Sequence, residues 1–309
     1  MHGAVCGRLE AGRAVEVSEG VYAFVQPDGS WWINNTGFLV GSTGVISVDA
    51  CSTEARTRAL LAAIAEVSDQ PVRTLINTHH HGDHTFGNYL FRGATIVGQE
   101  RSRAALRAWG LPRSAPFWTE VGWGNVELAP PFLTFDDSVT VYVDELRCEV
   151  RHWGHPAHTD NDAVVWLPER KLLFSGDLLF NGGTPFMLQG SIAGALETLA
   201  LIEELEAETI VPGHGPVCGP EVIGDIVRYL RFVQEVAKAG VAAGLSPLEA
   251  ARETDLGEFA SLLDNERIVG NLHRAYAEER GEPRESVDVG AALTDMVTYN
   301  GGRPLTCLA

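Results

Sequence analysis

Four imidazoles and one carboxylate fall within the six residues His79-His80-His81-Gly82-Asp83-His84. Neutral imidazole nitrogens and carboxylate oxygens are the donors that borderline divalent metals prefer, and zinc is the commonest such metal. A purification tag is also histidine-rich, but it sits at a chain end and lacks the aspartate. One short cluster cannot close a catalytic metal site, so further donors are needed downstream. Three stand beside apolar runs. His158 lies in His155-Pro156-Ala157-His158-Thr159-Asp160-Asn161-Asp162, Asp177 ends Leu172-Leu173-Phe174-Ser175-Gly176-Asp177, and His214 lies in Ile210-Val211-Pro212-Gly213-His214-Gly215. Glycines beside Asp177 and on both sides of His214 let the backbone turn sharply under a ligand.

Ligands converge only if rigid elements hold them. Val72-Arg73-Thr74-Leu75-Ile76-Asn77 reads as a buried strand feeding the His loop. Upstream, 15–17, 21–25, 31–40 and 44–49 read as a meander, with a turn at Pro27-Asp28-Gly29-Ser30 and a helix after the candidate N-cap Ser52. Further strands are expected at 95–98, 139–143, 146–152, 163–167 and 172–176, a helix from Glu100 and another near 194–207. Strands and helices thus alternate twice, which suggests two sheets sandwiched between helices. After Gly219 the pattern turns helical: Val222, Ile223, Ile226, Val227, Leu230, Val233 and Val236 keep helical spacing, Ser246-Pro247 opens a second helix, and 265–280 reads as a third. These helices either pack on the core, form a homodimer, or wall the substrate pocket.

The series His79-x-His81-x-Asp83-His84, His158, Asp177 and His214 resembles the five-part metal signature of the metallo-β-lactamase superfamily in order, spacing and strand context, over approximately residues 15–220. The resemblance implies that superfamily's α+β fold, an αβ/βα four-layer sandwich with metals at one edge. Residues 1–220 would form the metal-binding core and 221–309 a helical extension packing on it. It implies two Zn²⁺ ions as cofactors, one held by His79, His81 and His158, the other by Asp83, His84 and His214, with Asp177 bridging and a hydroxide as nucleophile. Iron or manganese are the alternatives. Asp83 would be the catalytic residue that orients the nucleophile and carries a proton to the leaving atom. The run His158-Thr159-Asp160-Asn161 is close to that of the zinc β-lactamases, but those carry cysteine where this chain has Asp177, the pattern of broader hydrolase branches. His80 reads as a non-ligand, and His158 is favoured over His155.

The resemblance points to hydrolysis of an acyl thioester or ester. Gln26–Asn35 and the tail Tyr299–Leu305 look similar to actinobacterial members that include thioesterase/cyclases of aromatic polyketide pathways, so an acyl carrier protein is an expected partner beside the small-molecule acyl substrate. Trp31, Trp32, Trp118 and Phe186 are the expected substrate contacts. A general lactone or ester hydrolase, a β-lactamase-like enzyme and an iron-dependent redox protein remain the alternatives. Arg103 and Arg107, four apart, form either a solvated face or a seat for a phosphate or an acidic carrier.

Composition limits the partners. Lys+Arg of 23 against Asp+Glu of 41 gives −18, which opposes nucleic acid and anionic membranes. No apolar run is long enough to span a bilayer, and Met1–Arg8 carries no apolar signal region. Five scattered cysteines without C-x-x-C pairs suit a reducing, cytoplasmic setting.

Overall fold

The computed structural model describes residues 12–112 and 116–309; the N-terminal run containing His2 and Cys6 lies outside them. Strands β1 (Arg13–Ser18), β2 (Val21–Val25), β3 (Thr36–Val40) and β4 (Val45–Val48) form an antiparallel meander. Helix α1 (Glu54–Val67) crosses over to β5 (Val72–Ile76). A single helical turn, α2 (Gly82–Thr85), then leads to β6 (Thr95–Gln99), α3 (Glu100–Trp109) and β7 (Leu133–Phe135), and β4 to β7 run parallel. The second sheet has the order β12-β11-β10-β9-β8. Its strands are β8 (Ser138–Val143), β9 (Leu146–Arg151), β10 (Val164–Leu167), β11 (Leu172–Phe180) and, after α4 (Ile192–Glu203), β12 (Thr209–His214). The chain closes with α5 (Glu221–Ala243), α6 (Pro247–Glu253), α7 (Arg267–Glu279) and α8 (Val289–Tyr299).

Period-two alternation assigns the layers. Val48, Ile76, Val165 and Phe174 meet between the two sheets. Phe38, Val45 and Leu75 point the other way, onto Leu60 and Ile64 of α1. Val164, Trp166 and Leu173 face α4 and the C-terminal helices, among them Ile226, Leu230, Ile268 and Leu272. Helix, sheet, sheet, helix is therefore the layer order, the four-layer sandwich expected. The C-terminal helices bury their apolar faces in the same cluster as the second sheet.

Two local expectations are corrected. Residues 31–35 are not strand; β3 begins at Thr36. Trp32 has a left-handed φ of 67°, and buried amides hold the loop instead: Gln26 Nε2 donates to the Asn34 carbonyl, Asn34 Nδ2 to that of Ala50, and Asn35 Nδ2 to those of Pro212 and Gly215. The cap of α1 is Thr53, whose side chain accepts from Arg56 N, rather than Ser52. Strand β7 and helix α8 are not among the expected elements: β7 is three residues long and mostly exposed, whereas α8 does carry a cap, Asp288, and the buried Ala292, Leu293 and Met296 at helical spacing. The expected Ser246-Pro247 start of α6 forms a complete capping box with Glu249.

Candidate metal centre

The donors lie where the strands of both sheets end or pass the same edge. His79, His81, Asp83 and His84 follow β5, His158 lies between β9 and β10, Asp177 is within β11, and His214 ends β12. Gly213 has no room for a side chain, since a Cβ there would lie 2.0 Å from Asp177 Oδ1. Two groups of potential ligands result, His79-His81-His158-Asp177 and Asp83-His84-Asp177-His214, the donor atoms of each lying within 4.8 Å of one another. Asp177 belongs to both. Its Oδ2 is 3.4 Å from His158 Nε2, 3.4 Å from His214 Nε2 and 3.8 Å from His79 Nε2, while Oδ1 is 3.0 Å from His84 Nε2. Asp83 Oδ2 lies 3.3 Å from His214 Nε2 and 3.8 Å from His84 Nε2.

Each imidazole is aimed by a partner on its far nitrogen, the arrangement that fixes tautomer and ring orientation in metal sites. His84 Nδ1 pairs with Asp49 Oδ2 at 2.8 Å, His79 Nδ1 with Thr78 Oγ1 at 3.1 Å, and His214 Nδ1 with the Gly29 carbonyl at 3.1 Å. His158 Nδ1 faces the Phe186 carbonyl, and His81 Nε2 faces Gln189 Oε1. Asp49 also accepts from Thr78 N and Oγ1, which ties β4 to the His loop. Sequence reasoning missed Asp49, Thr78 and Gln189. Asp49 did carry a signal: it ends an apolar strand beside the strand that feeds the His loop.

His79 Nε2, His84 Nε2 and Asp177 Oδ1 are buried without a well-aligned hydrogen bond, although His84 Nε2 and Asp177 Oδ1 stand 3.0 Å apart. Leaving such atoms unpaired costs about 1–3 kcal/mol each; divalent cations among these donors satisfy all three. The residues present therefore fit two metal ions, with Asp177 common to both. Burial, reinforced by neighbouring imidazoles, pushes His79 well below its ordinary value. Burial likewise brings His81 and His158 down to about 4. The other group behaves oppositely. Burial would lower His84 and His214 too, but carboxylates outweigh it: Asp177, Asp49 and Asp83 hold His84 well above the usual range, and Asp177 and Asp83 raise His214 to about 9.

His80 stands outside both groups, its Nδ1 3.0 Å from Asn161 Nδ2. His155 is also outside, within 2.9 Å of Thr198 Oγ1 through Nε2. His273 pairs with Asp295 at 2.8 Å. Cys51, Cys148, Cys218 and Cys307 are free thiols, and burial raises all four to about 12. Arg103 donates to the Pro131 carbonyl, and Arg107 is exposed.

The donors form the floor of a cavity of about 70 Å³ walled by Trp31, Trp32, Trp118 and Phe186, with Trp109, Gln189 and Arg267 at its sides. All four expected aromatic contacts thus reach it. Trp31 is a fixed wall: the Arg267 guanidinium lies 4.1 Å over its ring, Phe186 meets it edge-on at 4.9 Å, and its Nε1 donates to Glu266 Oε1 at 2.8 Å. Arg267 is itself buried, donating to the Thr184 carbonyl and to Asp264. The C-terminal helices therefore support one side of the site.

A metallo-beta-lactamase superfamily model matches residues 29–214, more than half of the chain, and the chain belongs to that superfamily. It is 23% identical to a linear primary-alkylsulfatase of Pseudomonas sp. over 69% of this chain and 48% of that protein. It is 29% identical to the hydroxyacylglutathione hydrolase of Rhodospirillum rubrum over 52% of each. To an acyl-coenzyme A thioesterase of Bos taurus it is 25% identical over 66% of this chain and 72% of the other. The chain thus spans about half the length of the first two of these curated relatives. A metallo-beta-lactamase from Pontibacter korlensis superposes with a TM-score of 0.60 at 19% identity, covering 71% of this chain and 99% of that one, which establishes the shared fold. No helix among the described residues is long and apolar enough to cross a membrane.

Proposed function

We propose that this protein is a dinuclear zinc hydrolase that cleaves an acyl thioester or activated ester. The observation that carries the reading is the pair of donor groups sharing Asp177 at the floor of an aromatic-walled cavity. His79, His81 and His158 would hold one ion and Asp83, His84 and His214 the other. When bound, the metals supply Lewis acidity and make water available as a nucleophile near neutral pH. Burial opposes ionisation of Asp83, but His84 and His214 outweigh it and keep the carboxyl ionised. Being a carboxylate beside the donor set, it can accept a hydrogen bond from the attacking water and take its proton as the C–O bond forms. In the balanced reaction a C–O bond forms at the acyl carbon and the C–S bond breaks. Sulfur keeps the bonding pair and receives the proton held on Asp83. Thioesters suit this site because a thiolate leaves with little help.

The names of two relatives support this class, one a hydroxyacylglutathione hydrolase and one an acyl-coenzyme A thioesterase. The finer reading is a thioesterase/cyclase that releases an aromatic polyketide from an acyl carrier protein in a reducing, cytoplasmic setting. It rests on the resemblance of Gln26–Asn35 and Tyr299–Leu305 and on the indoles beside the site. Elemental analysis should find two zinc ions per chain. Purified enzyme should hydrolyse an aromatic acyl thioester faster than a lactone or a β-lactam. Iron in place of zinc would redirect the reading to redox chemistry, and a leading β-lactam would overturn the thioester assignment.

A further inference from the structure

The cavity over the metal donors is too small for the acyl group proposed above. About 70 Å³ is available there, whereas an apolar cavity of roughly 150 Å³ is what accommodates benzene. The acyl carbon can sit over the donors, but a ring system cannot. Two further cavities adjoin this one. The first, of about 730 Å³, shares Trp32, Trp109 and Trp118 with it and continues along Phe86, Phe117, Val121, Trp123 and Leu293. Among the described residues that line it Glu120 is the only charged one and the rest are mostly aromatic or aliphatic, so the described walls favour neutral apolar groups over anions. The second, of about 430 Å³, shares Trp109 and Gln189 with the central cavity and is lined by Asp160, Arg274, Arg284 and Glu285. Its charges are already matched: Arg284 lies 2.9 Å from Asp160 and 3.1 Å from Glu285, and Arg274 donates to the Leu188 carbonyl. A groove with its carboxylates paired to Arg284, its second guanidinium held on carbonyls, and several donors and acceptors suits a neutral chain of amides better than a bare anion.

Trp109 borders all three cavities. It ends α3, is 42% exposed, and has its ring 6.2 Å from that of His81. We propose that Trp109 separates the two arms of one substrate: a neutral, bulky apolar acyl group in the chamber behind Trp32 and Trp118, and a polar, amide-bearing thiol along the groove past Gln189 to Arg284. The inference rests on the thioester reading and extends it to a substrate with arms of opposite polarity, sorted by which side of one indole they take.

Two measurements on the zinc-loaded full chain test it. The first is kcat/KM for acetyl and 2-naphthoyl thioesters, each made with ethanethiol and with N-acetylcysteamine. Phe117→Ala and Val121→Phe alter only the chamber, the one enlarging it and the other filling it. Each should cut the naphthoyl-over-acetyl preference by about two- to twelvefold, the range one aromatic contact supplies, without changing the thiol preference. Arg284→Gln should lower the N-acetylcysteamine preference alone, and Trp109→Ala should lower both. The second is equilibrium binding of 2-acetylnaphthalene, a neutral ketone without a scissile bond, read by quenching of tryptophan fluorescence. It should bind the parent and be excluded by Val121→Phe. Binding without hydrolysis would remove the thioester reading and keep the chamber. Hydrolysis whose acyl preference ignores Phe117 and Val121, or moves with Arg284, would overturn the two-arm assignment. Neither binding nor hydrolysis would overturn both.

Discussion

Asp177 Oδ2 lies 3.4 Å from the Nε2 atoms of both His158 and His214, so one carboxylate serves two sets of imidazoles. Asp177→Ala should therefore strip metal from both groups and lower kcat/KM by more than about 100-fold, the upper range for losing even an outer-shell partner. Unchanged zinc content by elemental analysis would remove Asp177 from the centre. Asp49 is such an outer partner, bonded to His84 Nδ1. Asp49→Ala should weaken the ion at His84 about 10- to 100-fold and the ion at His79 less, because Asp49 reaches His79 only through Thr78. The protonation states of the two groups separate them further. In metal-free protein His81 and His158, at about 4, are neutral near pH 7, whereas His214, at about 9, and His84 are imidazolium. A metal entering the second group must displace those protons, so its affinity should fall about tenfold per pH unit for each proton displaced below about pH 9. The His79-His81-His158 group should hold steady until the pH approaches about 4. Lowering pH from 8 to about 5.5 should reduce the bound zinc from two ions towards one. Parallel loss of both ions would contradict this account.

Helix α7 carries its part of the site through a buried ion pair. Arg267 Nη2 donates to Asp264 Oδ2 at 2.8 Å while the guanidinium covers Trp31. Burial raises Asp264 to about 6 despite that partner. Arg267→Met should leave the carboxyl buried and unpaired and destabilise the fold by about 3–5 kcal/mol, read from the denaturant midpoint. Adding Asp264→Asn should recover part of the loss. If the single variant is as stable as the parent, the pair is not what fixes the pocket wall. On the strand side, Gly213→Ala would drive a methyl to 2.0 Å from Asp177 Oδ1. It should lower metal content while far-ultraviolet circular dichroism stays native.

At the scale of the whole molecule, candidate ligands from both sheets and a wall residue from the C-terminal helices meet at one edge, so metal binding there would be coupled to folding. Chelation should lower Tm, and free zinc at about 1,000 times its Kd should restore roughly 4 kcal/mol. A Tm unaffected by chelation would mean that the donors are not loaded. In the metal-free protein His214 is raised on folding, so the folded state binds its proton more tightly. That contribution is full below about pH 6.5, the ordinary histidine value, and should vanish as pH rises through about 9. What the sequence determined by itself was whatever is local: the donors following one strand, the alternation that sorts two sheets into layers, the capping box of α6, and the resemblance of five spaced motifs. His158, Asp177 and His214 could be named because each adjoins an apolar run with its own turn residues. Tertiary structure alone decided the rest, because those features depend on chain segments far apart. Asp49 meets His84 only through the parallel pairing of β4 with β5. Gln189 reaches His81 from another loop, and Arg267 reaches Trp31 across 236 positions. The loop at 31–35 showed β-like residues, yet amide hydrogen bonds to Ala50, Pro212 and Gly215 outweigh that local preference. Cavity size was likewise invisible: aromatic composition announces a wall, but only packing sets whether the space behind it holds a water or a ring.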